Sequence, residues 1–221
     1  QGVKESKIIF YPYYAESFYN IVPEDPEIKS QYGDGLNIVF AGNIGVAQSF
    51  DTIIEAANLL KTKIKKFKFI IIGEGRDKKR VIEKIQNYSL GDYFEFLGSF
   101  PAEEMPAFFA SADALLVSLK DTKIFSMTIP GKLQSYLACG KPIIASLNGI
   151  GAQIVKESKS GYASNAEDPL SLSNSIIDFS KLNFNQRKGL GKNAMDYYKK
   201  EFERSRLLNR LINIFERWIK L

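Results

Sequence analysis

The sequence has no histidine, one cysteine (Cys139) and one tryptophan in 221 residues. Without histidine, a Ser-His-Asp or Cys-His relay, a His-ligated zinc and an imidazole general base are excluded from this chain. Its chemistry falls to carboxylates, hydroxyls, lysines and backbone dipoles, or to groups brought by a partner. A lone cysteine cannot close an internal disulfide, so nothing calls for an oxidising compartment and a cytoplasmic setting is expected. No apolar run approaches the ~18 residues of a membrane span, and the start lacks the basic-then-apolar pattern of a signal sequence. A Walker lysine motif is missing, and so is any D-x-D triplet that could hold a divalent cation against a diphosphate. No metal and no cofactor are therefore expected. The first residue is not methionine, which reads as a piece of a longer protein.

What is present fits one large domain or two small ones: 45% of residues are apolar, 25% are charged, and Lys+Arg 30 against Asp+Glu 25 leaves a charge of +5. Short apolar runs alternate with helix-period segments. Leu36 to Ala41, Phe67 to Ile72, Tyr93 to Leu97, Ala114 to Leu119, Pro142 to Ala145 and Gly161 to Ala163 read as strands. Helices are expected from Ser49, around Val81 to Ile85, from Pro101, from Pro130 to Ala138, from Gly149 to Glu157 and from Asp168. The stretch from Lys120 to Ile129 is expected to be irregular. Strands that are apolar throughout, instead of alternating, imply a parallel sheet covered on both faces: a doubly wound, Rossmann-like α/β fold. Residues 36–183 are assigned to that domain. Residues 1–35, with Lys7 to Tyr14 and the Pro23 to Pro26 cluster, are expected to be a strand and linker leading into it. Residues 184–221 are expected to be two closing helices.

The last of these helices places Leu207, Leu208, Leu211, Ile214, Phe215, Trp218 and Ile219 on one face and arginines largely on the other. Two readings stand: packing across a domain, or a basic amphipathic surface lying on a membrane. The lysine run Lys61, Lys63, Lys65, Lys66 and Lys68 reads as a solvated helix end before a core strand, and no nucleic-acid partner is expected from it.

Ligands of open parallel sheets bind at the carboxyl ends of the strands. Four glycine-bearing loops fall at such ends: Gly42 to Gly45, Gly73 to Gly75, Gly98-Ser99, and Asn148 to Gly151. Glycine lets backbone amides approach an anion, so a phosphate-bearing ligand is one reading; glycines that merely end strands are the other. The dinucleotide fingerprint G-x-G-x-x-G is absent after the first strand. Lys132 sits in the first turn of the Pro130 helix, where a cation opposes the helix dipole, so an anionic ligand is a reason for it to be there; a solvated surface lysine is the alternative.

The set Phe40-Ala41-Gly42-Asn43-Ile44-Gly45, Ile71-Ile72-Gly73-Glu74-Gly75, Phe96-Leu97-Gly98, Ala112 to Leu119, Gly140-Lys141-Pro142-Ile143-Ile144-Ala145 and Gly161 with Ala166 to Pro169 resembles, in content and order, the donor-binding half of family 4 GT-B glycosyltransferases. Gly42 to Gln48 with Pro130-x-Lys132 is similar to a subgroup that builds bacterial surface polysaccharides, including O-antigen aminosugar (L-fucosamine-type) transferases.

The resemblance implies a retaining transferase that takes a nucleotide diphosphate sugar, with UDP favoured and UDP-N-acetyl-L-fucosamine as one donor. It implies a lipid-linked acceptor, and an N-terminal acceptor domain, lying outside these residues, without which the piece is inactive. It also implies a location peripheral to the inner face of the cytoplasmic membrane. Lys132 would stabilise the departing diphosphate, helped by Gly42, Asn43 and Gly45 and by the helix after Gly149, Ile150 and Gly151. The base would lie near Gly73 and Glu74 and near Leu97, Gly98 and Ser99, with Ser135 by the ribose. The family's arginine and lysine of the first loop read here as Asn43 and Gln48, and its E-x7-E pair would fall at Met127 and Ser135. Gln48, Thr128 and Ser135 are then the neutral hydrogen-bonding replacements. A non-catalytic, ligand-binding module of Rossmann type is the competing reading.

Overall fold

Fully apolar strands need cover on both faces, and the computed structural model, which describes residues 2–219, supplies it. The strands are β1 Leu36–Ala41, β2 Phe67–Ile72, β3 Phe94–Gly98, β4 Ala114–Ser118, β5 Ile143–Ser146 and β6 Gly161–Ser164. They form one sheet in the order β3-β2-β1-β4-β5-β6, and all pairings are parallel. This is the doubly wound Rossmann order. β1 runs in register with β2 from Leu36 opposite Phe67 to Ala41 opposite Ile72. Against β4 it pairs only at Ile38 and Val39. Strand order reverses between β1 and β4, which leaves a crevice beyond the carboxyl end of β1.

The helices are α1 Pro26–Tyr32, α2 Phe50–Leu60, α3 Lys78–Asn87, α4 Met105–Ala110, α5 Lys123–Ser126, α6 Gly131–Ala138, α7 Ile150–Ser158, α8 Pro169–Ser180, α9 Phe184–Glu201 and α10 Arg204–Ile219. Several starts are written in the sequence. Asp25 accepts from the amides of Glu27 and Ile28 ahead of Pro26, and Asp168 accepts from Ser171 ahead of Pro169. Asn183 and Gln186 form a reciprocal capping box for α9.

Because side chains alternate along a strand, β1 feeds two cores. Ile38 and Phe40 join Phe50, Ile53, Phe69, Val81 and Phe179 on one side. Val39 joins Ile70, Leu115, Phe109, Leu133 and Tyr136 on the other. Each such side chain contributes about 1.5–3 kcal/mol by leaving water.

Four expectations need correction. No strand forms in the Lys7 to Tyr14 stretch: Glu5–Lys7 is a 3-10 turn, and Ile8, Ile9 and Phe10 are exposed. An apolar run becomes a strand only beside an open edge, and none of the six described strands pairs with this one. The supposedly irregular Lys120 to Ile129 stretch contains α5, capped by the Thr122 hydroxyl. Pro101 opens a 3-10 turn, Ala102–Glu104, before α4 begins. The apolar stripe of α10 is buried at Leu207, but Phe215 is 57% exposed; the side chains of Trp218 and Ile219, and Lys220, lie outside the described residues. The lysines 61, 63, 65 and 66 are exposed, as a solvated helix end requires.

Candidate functional site

The crevice is built on loop backbones that continue the parallel ladder past the strand ends. The Gly42 amide donates to the Ile72 carbonyl at 2.8 Å, and the Gly73 amide donates to the Gly98 carbonyl at 2.7 Å. Gly42 and Gly73 have φ of 138° and 136°, a backbone that side chains rarely tolerate. A methyl on Gly73 would be driven into the Gly42 carbonyl, and one on Gly42 would stand 3.0 Å from the Lys132 ammonium. Both glycines therefore hold space open at the end of β1.

Lys132 enters that space from the first turn of α6, whose start has Pro130 as its cap residue and no side-chain cap. The residue as a whole is partly exposed, but Nζ is buried and has no hydrogen-bond partner among the described residues. It lies over the Phe40 ring, 3.8 Å from the centroid. Burial pushes its pKa down to about 7. This is not the solvated lysine of the alternative reading. Beside it, the Tyr136 hydroxyl accepts from the Ala41 amide at 3.0 Å and so ties α6 to the end of β1.

The cleft has a volume of about 560 Å³. Of the residues singled out in the sequence, Gly42, Asn43, Gly73, Glu74, Ser99, Lys132 and Ser135 line it. Among the described lining residues Lys132 is the one cation, facing a cleft that also holds Glu16 and Glu74. Glu74 is itself engaged with Lys78 at 2.6 Å.

The other candidates lie elsewhere. Gly45 and Gln48 do not line the cleft; they sit together beside the Asn43 side chain, and Gln48 Oε1 is buried without a partner among the described residues. Leu97 and Gly98 form the end of β3 and do not line the cleft. The Thr128 hydroxyl donates to the Phe125 carbonyl at 3.2 Å on an exposed turn. Gly149 presses against the Ser126 backbone and lines a separate hollow of about 310 Å³. Ile150 and Gly151 begin α7, with Gly151 packed on Leu147 and Pro130. The two glycine-loop groups that the sequence treats alike are thus separated in space.

Sequence reasoning missed the aromatic walls: Tyr13, Tyr14 and Tyr19 from the entering segment, and Phe100, Phe109 and Tyr136 from the domain. The density of tyrosines between Tyr11 and Tyr19 was a readable signal, but nothing local says that this segment returns to the cleft. No group of three or more His, Cys, Asp or Glu side chains is placed to hold a metal ion among the described residues.

The family model described as "Glycosyl transferases group 1" matches residues 22–197. WcaL of Salmonella typhimurium, a glycosyltransferase assigned by name to colanic acid biosynthesis, is 24% identical over 83% of this chain and 46% of its own length. The chain spans about half the length of the curated relatives it matches. A glycosyltransferase from Rickettsia africae has a similar fold, with TM-score 0.81 and 17% identity, covering 99% of this chain and 59% of the other. Anabaena HepE, solved in complex with UDP and glucose, has TM-score 0.72 and 16% identity, covering 90% of this chain and 54% of that one.

Proposed function

The chain belongs to the glycosyl transferases group 1 family, and from that premise we propose that it is the donor-binding half of an enzyme that transfers a sugar from a nucleotide diphosphate. The observation that carries this reading is Lys132: a cation with no partner among the described residues, buried at the end of β1. A buried ammonium without a counterion is costly, and a diphosphate in the crevice offsets that cost. During transfer the bond from the sugar to the diphosphate breaks and negative charge grows on the leaving oxygen. An ammonium already oriented in a dry cleft stabilises that charge without reorganising. The first turn of α6, which no side chain caps, adds the positive end of a helix dipole beside that ammonium.

UDP is the favoured carrier, supported by the complex of HepE with UDP and glucose. A surface polysaccharide is the favoured product, supported by the naming of WcaL. The finer reading is an aminosugar donor such as UDP-N-acetyl-L-fucosamine, retention of anomeric configuration, independence from metal, and a lipid-linked acceptor. The acceptor and any catalytic base belong to a second domain, without which residues 1–221 bind donor but do not turn it over. Work on a lipid-linked acceptor places the enzyme at the inner face of the cytoplasmic membrane; no described helix is long and apolar enough to cross it. Exposed Ile212 and Phe215 on arginine-bearing α10 are the surface to test with anionic liposomes.

Titration calorimetry with UDP and GDP tests the core of the reading. One of the two binds, and Lys132→Ala weakens that binding by about 1.5–3 kcal/mol, the range of a charge-assisted contact. Unchanged affinity in the variant removes Lys132 from the site. Binding by the longer protein without turnover of any donor favours the non-catalytic module.

A further inference from the structure

Two tyrosines stand at the mouth of the cleft, and nothing in the diphosphate chemistry uses them. Tyr13 is 70% exposed although it lines the cleft that holds Lys132. Its ring is stacked on that of Tyr14, with centroids 5.6 Å apart and planes 10° from parallel. The Arg204 guanidinium lies over Tyr14, 5.6 Å from the ring centroid. The backbone under this pair is pinned from inside: Gln134, 1% exposed on α6, donates its amide to the Tyr13 carbonyl at 3.2 Å. Gln134 stands two positions from Lys132 on the same helix, so the element that carries the ammonium also anchors the Tyr13 backbone.

The exposed Tyr13 ring, on a backbone anchored by Gln134, is available to a ligand in the cleft. Such a ring leaves apolar area in water unless something covers it, and holding it costs little entropy because its neighbour already fixes its plane. The face of an aromatic ring carries partial negative charge and attracts positively polarised C–H bonds. A pyranose offers a flat patch of such bonds on one side and hydroxyls on its rim. We propose that Tyr13 is a specificity-determining residue that stacks on the sugar ring of the donor while Lys132 holds the diphosphate. The proposal rests on the donor-binding reading above and adds to it which residue reads the sugar.

Because Tyr13 is exposed, its replacement leaves the fold intact, and a thermal melt of each variant checks this. Calorimetry then compares UDP with UDP-glucose and UDP-N-acetylglucosamine, and GDP with GDP-mannose, for the unsubstituted protein, Tyr13→Ala and Tyr13→Phe. The expected result is that Tyr13→Ala lowers affinity for the sugar nucleotide roughly three- to tenfold while changing affinity for the matching free nucleotide less than about twofold. Tyr13→Phe, which keeps the face and loses the hydroxyl, should behave like the unsubstituted protein. Equal losses for nucleotide and sugar nucleotide would make Tyr13 a base platform and overturn the proposal. No loss in either would overturn it as well. If the unsubstituted protein binds none of the five compounds, the donor-binding reading itself fails and takes the proposal with it.

Discussion

The Nζ of Lys132 lies 3.8 Å from the centroid of the Phe40 ring, and that ring is fully buried in the sheet core. The contact is a cation–π pair in a dry setting, yet it is one neutral partner for a charge that has lost its water. Net desolvation wins, which is why the pKa falls to about 7 from the ordinary 10.5. A site in this condition is poised: an anion in the cleft restores the charge that burial disfavours.

Nucleotide binding should therefore be linked to proton uptake. A diphosphate favours the charged ammonium, so affinity should be highest below about pH 7 and fall as pH rises from there toward the higher pKa of the bound state. Calorimetry at about pH 6 and about pH 9, in two buffers of different ionisation enthalpy, reads both effects. Affinity that is flat across that range, with no proton taken up, would show that Lys132 does not titrate with the ligand.

The same burial weighs on stability in the opposite sense. The folded-state pKa is depressed below 10.5, so between about 7 and 10.5 the unfolded chain binds more protons, and this group's contribution makes the fold more stable as pH rises through that window. Lys132→Met removes the buried charge and keeps the packing over Phe40. It should raise Tm at about pH 6 by roughly 3–8 °C, with a smaller gain at about pH 10, while weakening nucleotide binding as Lys132→Ala does. A lower Tm would show that the ammonium is satisfied in solution.

Two glycines with left-handed backbones should respond differently to alanine. At Gly73 the new methyl meets the Gly42 carbonyl, and the loss should exceed about 3 kcal/mol. Gly98 has φ of 81° but open space around it, so only the backbone preference is lost, about 1 kcal/mol. Urea unfolding of the two variants compares them; similar losses would mean that the Gly42–Gly73 contact is not tight.

Tyr136→Phe should leave the Ala41 amide without its 3.0 Å partner at the edge of the cleft and cost about 1–2 kcal/mol. Hydrogen exchange at the Ala41 amide should accelerate more than at Val39 in the middle of the same strand. Equal protection in both proteins would assign that amide another acceptor.

Much of the fold was legible because buried parallel strands are written as continuous apolar runs. Leu36–Ala41 and Phe67–Ile72 were expected with the boundaries they have. Helix starts marked by Asp168-Pro169 and by Pro130 were legible too, since caps act within one turn. The Lys7 to Tyr14 segment misled because an apolar, β-branched run states a preference, while a strand requires a partner edge that only the rest of the chain can offer.

For the candidate site, the sequence by itself determined the residue types available, with no imidazole among them, and the glycines at strand ends, because local backbone sterics and side-chain period act over a few residues. Only the tertiary structure decided which of those loops share a cleft. It set Lys132 against Gly42 and Phe40, brought Tyr13 and Tyr14 to the rim, and left Gly149 against Ser126 in a separate hollow. The reason is that loss of water around a charge is a sum over every segment packed against it. Those segments meet at the Lys132 ammonium only after the sheet has ordered β1 between β2 and β4.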